Sequence, residues 1–192
     1  LNNGVEIITE SWLEEMLQLC QQKDVGMAGA KLYYPDDTIQ HAGVVVGLGG
    51  VAAHVLCKLP RDAEGYMGRL RCVQEISAVT AACMMVKTSV FKAVGGFDEE
   101  LKVAFNDIDL CMKVRKYGVK IVFTPYAELY HYESKSRGME DTPEKQLRFS
   151  REVNCFRRKW ERELLKGDPY YNPNLTLNNT DCSLRKQEKN GD

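Results

Sequence analysis

The chain has 192 residues, 44% hydrophobic and 28% charged, which suits one globular domain with a sizeable core. Its 26 basic and 27 acidic side chains leave a formal net charge of −1, so no global field recommends nucleic acid or an anionic membrane as a partner. The seven cysteines are odd in number and scattered without a CxxC pair, which argues against the disulfide framework of small secreted domains and predicts reduced thiols.

No apolar run approaches the roughly 20 residues that span a bilayer, and the first residues lack the basic and apolar regions of a signal peptide. Leu1 to Ile8 reads as the end of a strand with an Asn3-Gly4 turn, and residues upstream are expected to have been left out. A helix follows from about Ser11 to Gln22. Ser11 and Glu14 have capping-box spacing, and Trp12, Leu13, Met16, Leu17 and Cys20 form an apolar stripe. Val25 to Leu32 reads as a buried strand in which Gly26 and Gly29 permit close backbone approach. After the Pro35-Asp36-Asp37 turn, the glycine-rich Ile39 to Gly50 predicts an irregular strand or hairpin, and Pro60 to Gly68 a loop.

Val73 to Val86 is the longest apolar stretch and predicts one or two central strands. Thr88 is expected to cap a short helix that Gly95-Gly96 stops. A further helix is predicted from Asn106 to Tyr117, with Lys113, Arg115 and Lys116 at the end where the macrodipole favours cations. Strands are predicted at Lys120–Phe123 and Ala127–Tyr132, separated by Thr124-Pro125. Thr142-Pro143, an N-cap followed by proline at the first helical position, opens a helix to about Leu165. Residues 1–166 are expected to form the domain, and 167–192 a loop and a charged, disordered tail.

Chemistry points to the start of the Asn106 helix. Asp107 and Asp109 diverge by about 200° around a helix axis, so they cannot both face one substrate atom. Ile108, Cys111 and Met112 mark the buried side. Asp107 lies in the first turn, where backbone N–H groups and the macrodipole stabilise the ionised form that a base must have. A carboxylate is a weak base and needs a good leaving group, such as a nucleoside diphosphate neutralised by a divalent cation. The plainer reading is that Asn106 or Asp107 only caps the helix. His41 and His54 have no partner at metal-ligand spacing and read as core or loop histidines.

Three segments, Gly95-Gly96-Phe97-Asp98-Glu99, Phe105-Asn106-Asp107-Ile108-Asp109-Leu110-Cys111 and Tyr130-His131-Tyr132-Glu133-Ser134-Lys135-Ser136-Arg137-Gly138, occur in that order after Leu1-Asn2-Asn3. Together they resemble the C-terminal part of family 2 glycosyltransferases with the GT-A fold, and especially bacterial enzymes of O-antigen and other cell-surface polysaccharides. The resemblance implies a partial GT-A fold, α/β with a mixed sheet flanked by helices, without its N-terminal nucleotide-binding half. It implies inverting transfer from a nucleotide-sugar donor to a glycan or lipid-linked acceptor at the cytoplasmic face of the membrane, with peripheral membrane association.

Residue by residue, Asp107 matches the general base, and Asn106 stands where the family usually has a first carboxylate. Asp98 and Glu99 match the acceptor-pocket turn. His131 matches a ligand of Mg2+ or Mn2+, and Ser136 and Arg137 face the donor diphosphate, where a guanidinium suits bidentate recognition. The family aspartate that holds the donor cation is replaced here by Gly4, leaving the neutral Asn3 as a poor substitute ligand. Those departures keep a second expectation open: a non-catalytic acceptor-binding or partner module derived from a glycosyltransferase.

Overall fold

A computed structural model describes residues 1–132 and 142–186. Its centre is β2 (Val25–Tyr33), buried along its whole length, beside β8 (Lys120–His131), with which it pairs in parallel. The sheet runs β1 (Val5–Ile7), β8, β2, β3 (Ile39–His41), with β6 (Gln74–Glu75) beside β8 and β7 (Met84–Val86) beside β2; every pair except β2–β8 is antiparallel. A separate hairpin joins β4 (Val44–Val46) to β5 (Ala52–His54). This is the expected mixed α/β architecture.

Alternation along β2 divides the core. Ala28, Ala30 and Leu32 face α1 (Trp12–Cys20), while Met27 and Tyr33 join the larger cluster that includes α3 (Asn106–Lys116) and Phe156 and Trp160 from the C-terminal helices. Gly26 and Gly29 are needed for close approach: a Cβ would fall 2.4 Å from Val119 Cγ2 and 2.3 Å from Val79 Cγ1.

Several expectations change. Ser11 makes no side-chain cap bond, and Leu13 and Leu17 are exposed, so the α1 stripe is narrower than its spacing implied. Lys87, not Thr88, is the N-cap of α2 (Thr88–Ala93). Thr124-Pro125 does not end a strand; β8 continues through it as a bulge, between the pairs Gly29–Phe123 and Lys31–Glu128, where proline costs no ladder bond. The helix opening at Pro143 breaks at Trp160 into α4 (Pro143–Lys159) and α5 (Glu161–Lys166). Thr142 does cap α4, its side chain accepting from Lys145 N.

The apolar stretch 73–86 forms only the short β6 and β7, with a buried irregular crossing between them. Residues 174–185, within the expected loop and tail, are hydrogen-bonded among themselves. Thr176 N–H donates to Ser183 O at 2.8 Å and Arg185 N–H to Asn174 O at 2.8 Å, and Leu175 and Cys182 are buried in the core. All seven cysteines are free thiols, and burial pushes Cys20 and Cys83 up to about 11, as suits inert core residues.

Candidate active site at the start of α3

The hydrogen bonds of the irregular crossing explain why this region is not a strand. Backbone N–H groups must find acceptors when buried, and here side chains provide them in succession: Val79 N–H to Cys111 Sγ at 3.4 Å, Thr80 N–H to His41 Nε2 at 3.4 Å, Ala81 N–H to Asp107 Oδ2 at 3.0 Å. Asp107 is therefore held from two sides, since its Oδ1 also accepts from Ile108 N–H at 2.9 Å. Asn106 Oδ1 takes the Asp107 N–H at 2.7 Å. Neither is the N-cap of α3, which is Phe105; each accepts instead from the next first-turn amide, which has no helical partner. A carboxylate has about four lone-pair positions, so two amide bonds leave Asp107, which is half-buried, with capacity to accept a substrate proton.

The two aspartates part as helix geometry requires. Asp109 is 0% exposed: its Oδ1 accepts from Trp160 Nε1 at 2.8 Å and meets Lys159 Nζ at 2.8 Å. Its Oδ2 lies 2.9 Å from Lys113 Nζ without a directed hydrogen bond. Asp98 shares Lys159, whose ammonium, with the Glu100 N–H, holds the Asp98 carboxyl below the usual carboxylate range. Glu99 is exposed on the same turn.

A second cluster gathers the chain's three histidines. Gln40 grips His131 twice, its Oε1 2.7 Å from the ring Nδ1 and its Nε2 donating to the His131 carbonyl at 3.1 Å. Donation from Nδ1 leaves Nε2 as the lone-pair nitrogen. His54 Nδ1 lies 3.2 Å from His41 Nδ1 and 2.9 Å from the Gln40 carbonyl. Burial, then His54 and His131, push the His41 imidazole well below its ordinary range, so it accepts from Thr80 as a neutral ring. Gly4 borders this cluster: a Cβ there would sit 3.2 Å from the Tyr132 carbonyl and 3.9 Å from His131 Cδ2. Asn3 is exposed beside it. Ser136 and Arg137 lie outside the described residues.

Residues 4–152 match the model for "Glycosyltransferase like family 2". The chain belongs to this family. It is 57% identical over 96% of its length to the uncharacterized protein y4gI of Sinorhizobium fredii, covering 20% of that protein. It is 39% identical over its full length to the O-antigen biosynthesis protein RfbC of Myxococcus xanthus, covering 15% of it. A 62-residue stretch is 36% identical to an N-acetylglucosaminyl-diphospho-decaprenol L-rhamnosyltransferase of Mycobacterium tuberculosis, 32% of this chain and 20% of that one. The chain thus spans a fifth or less of the curated relatives it matches.

Family 2 transferases generally use a divalent cation, but the described residues do not make a site for one. They contain no group of three or more His, Cys, Asp or Glu side chains able to hold a metal. Around His131 stand a glycine and a neutral carboxamide where a hard dication wants carboxylate oxygens. Among the described residues, no helix is long and apolar enough to cross a membrane.

Gln40, the amides of residues 79–81 and the acid Glu152, whose carboxylate lies against residues 102–104, carried no signal in the sequence. Gln40 sits one residue before a histidine judged structural. Glu152 looks like any charge on an exposed helix.

Proposed function

We propose that this family 2 domain serves inverting transfer of a sugar from a nucleotide-sugar donor to a glycan or lipid-linked acceptor hydroxyl in cell-surface polysaccharide synthesis. Asp107 is the base in this reading. The acceptor O–H proton passes to its carboxylate, the acceptor oxygen bonds to the anomeric carbon, and the carbon–oxygen bond to the nucleoside diphosphate breaks, its electron pair leaving with the diphosphate. The observation that carries the reading is the position of Asp107, half-buried at the start of α3 and anchored by Ala81 N–H. The names of RfbC and the rhamnosyltransferase support the polysaccharide context.

On the same reading Glu99 faces the acceptor while Asp98 steadies its turn through Lys159. Ser136 and Arg137 serve the donor diphosphate, and the protein works at the cytoplasmic face of the membrane by peripheral association. A Mg2+ or Mn2+ requirement would need ligands beyond those described. The test is transfer from a panel of nucleotide sugars with Mn2+ or Mg2+: Asp107→Asn abolishes turnover and keeps donor binding. Full turnover in that variant removes Asp107 from the role.

Gly4 and Asn106, each neutral where the family usually has a carboxylate, favour a second reading as a non-catalytic acceptor-binding module. Calorimetry with nucleoside diphosphates and Mn2+ separates the two. Metal-dependent binding supports the transferase and its absence supports the module.

A further inference from the structure

The turn that delivers Asn106 and Asp107 is held in a costly shape. Phe105, the residue before α3, has φ 62° and ψ 5°, a left-handed conformation that a bulky side chain rarely adopts. Two devices on one face of α4 oppose that cost. The Phe105 ring packs on Phe156 and Phe149, with centroids 5.3 and 5.9 Å away. Between them in sequence, Glu152 is 3% exposed and accepts three successive amides, Lys102 N–H at 3.1 Å and Val103 N–H at 3.2 Å on Oε1, and Ala104 N–H at 2.8 Å on Oε2. Consecutive amides converging on one anion form a nest, and each such bond is charge-assisted.

Residues 149, 152 and 156 are spaced three and four apart, so they share one helix face. That face reads the loop residue by residue: carboxylate on 102, 103 and 104, aromatic rings on 105. One turn further, Lys159 and Trp160 hold Asp109 on α3 itself. We infer that Glu152 is a positioning residue for Asp107: it fixes the turn 102–105 so that α3 begins where Asp107 reaches Ala81. This inference rests on the reading of Asp107 as the base for its catalytic consequence, but its structural half does not.

Amide hydrogen exchange on the wild-type chain tests the structural half without any variant. If Glu152 couples the turn to Asp107, the amides of 102–104 and of Ala81 open together, with one opening free energy and one denaturant dependence. Independent opening overturns the inference. Glu152→Gln keeps the shape and loses the charge. It should release protection at 102–104 and at Ala81 together, whereas an Ala81 amide that stays as protected as in the wild type overturns the inference. A merely structural role would leave Ala81 unmoved, because Ala81 touches neither Glu152 nor its loop through any described hydrogen bond.

Kinetics supply the second readout. In a protein that turns over a nucleotide sugar, Glu152→Gln should lower kcat on the order of 10²-fold, the scale of a 1 Å misplacement, with KM for the donor unchanged. A change in KM alone overturns the positioning role. Should Asp107→Asn retain full turnover, the reading of Asp107 fails, while coupled exchange at Ala81 would still uphold the link from Glu152.

Discussion

Asp107 and Asp109 lie two positions apart on one helix and live in opposite surroundings. Asp107 faces a polar, half-buried seam where backbone amides of an irregular crossing are tied by side chains from α3 and β3. Asp109 faces a sealed junction between α3 and the α4–α5 break, fully buried against two ammonium groups and an indole. The first keeps lone pairs for a ligand; the second is closed off from solvent among its cations and the indole. Identical chemistry thus becomes a candidate base or a structural rivet according to which side of the helix it occupies.

Substitutions can break that division. The largest effect is expected for Asp107→Asn, a loss of about 10²- to 10⁴-fold in turnover, the usual scale of general-base catalysis, with a cost of about 1 kcal/mol in denaturant unfolding because the Asn oxygen can keep only one of the two amide bonds. Asp109→Ala should do the reverse. It strands the Trp160 N–H and two cations, costing about 3 kcal/mol in denaturant unfolding, with Lys113 and Lys159 partly solvated and so limiting the loss. If Asp109→Ala leaves stability intact, the rivet does not exist.

The seam around Asp107 has its own pH signature. His41 has a depressed folded-state value, so above its ordinary pKa of about 6.5 both states are neutral and contribute no slope. Below that, the unfolded chain binds a proton that buried His41 refuses, and stability falls with pH by up to about 1.4 kcal/mol per unit until the folded-state value is passed. Denaturant midpoints between pH 7.5 and 5 should show this slope, reduced in His41→Gln. The smallest effect tests the far end of α4: Thr142→Ala removes a cap and should cost about 1 kcal/mol, leaving the Asp109 junction unaltered by tryptophan fluorescence of Trp160.

Legibility followed the range of the interactions. The α3 boundaries, its basic last turn, the Thr142 cap and the buried run of β2 rest on neighbours in sequence, and they were readable. The crossing at 76–83 reads as strand because its residues are apolar and β-prone. It is not one because its amides meet Cys111, His41 and Asp107, 26 to 39 positions away. Trp160 likewise breaks a helix whose local propensity would continue, since its ring is buried and its N–H is drawn to Asp109. Thr124-Pro125 looked like a strand end because a bulge cannot be told from a stop without the partner strand.

Sequence alone determined the mixed α/β class and the separation of Asp107 from Asp109, and made the start of α3 the candidate place for chemistry, because helical periodicity and capping are local rules. Tertiary structure alone decided which aspartate is buried, that Gln40 holds His131 and that Glu152 nests the turn before α3. Those depend on which amides lose water on folding and which distant side chain reaches them first, a question no window of sequence contains.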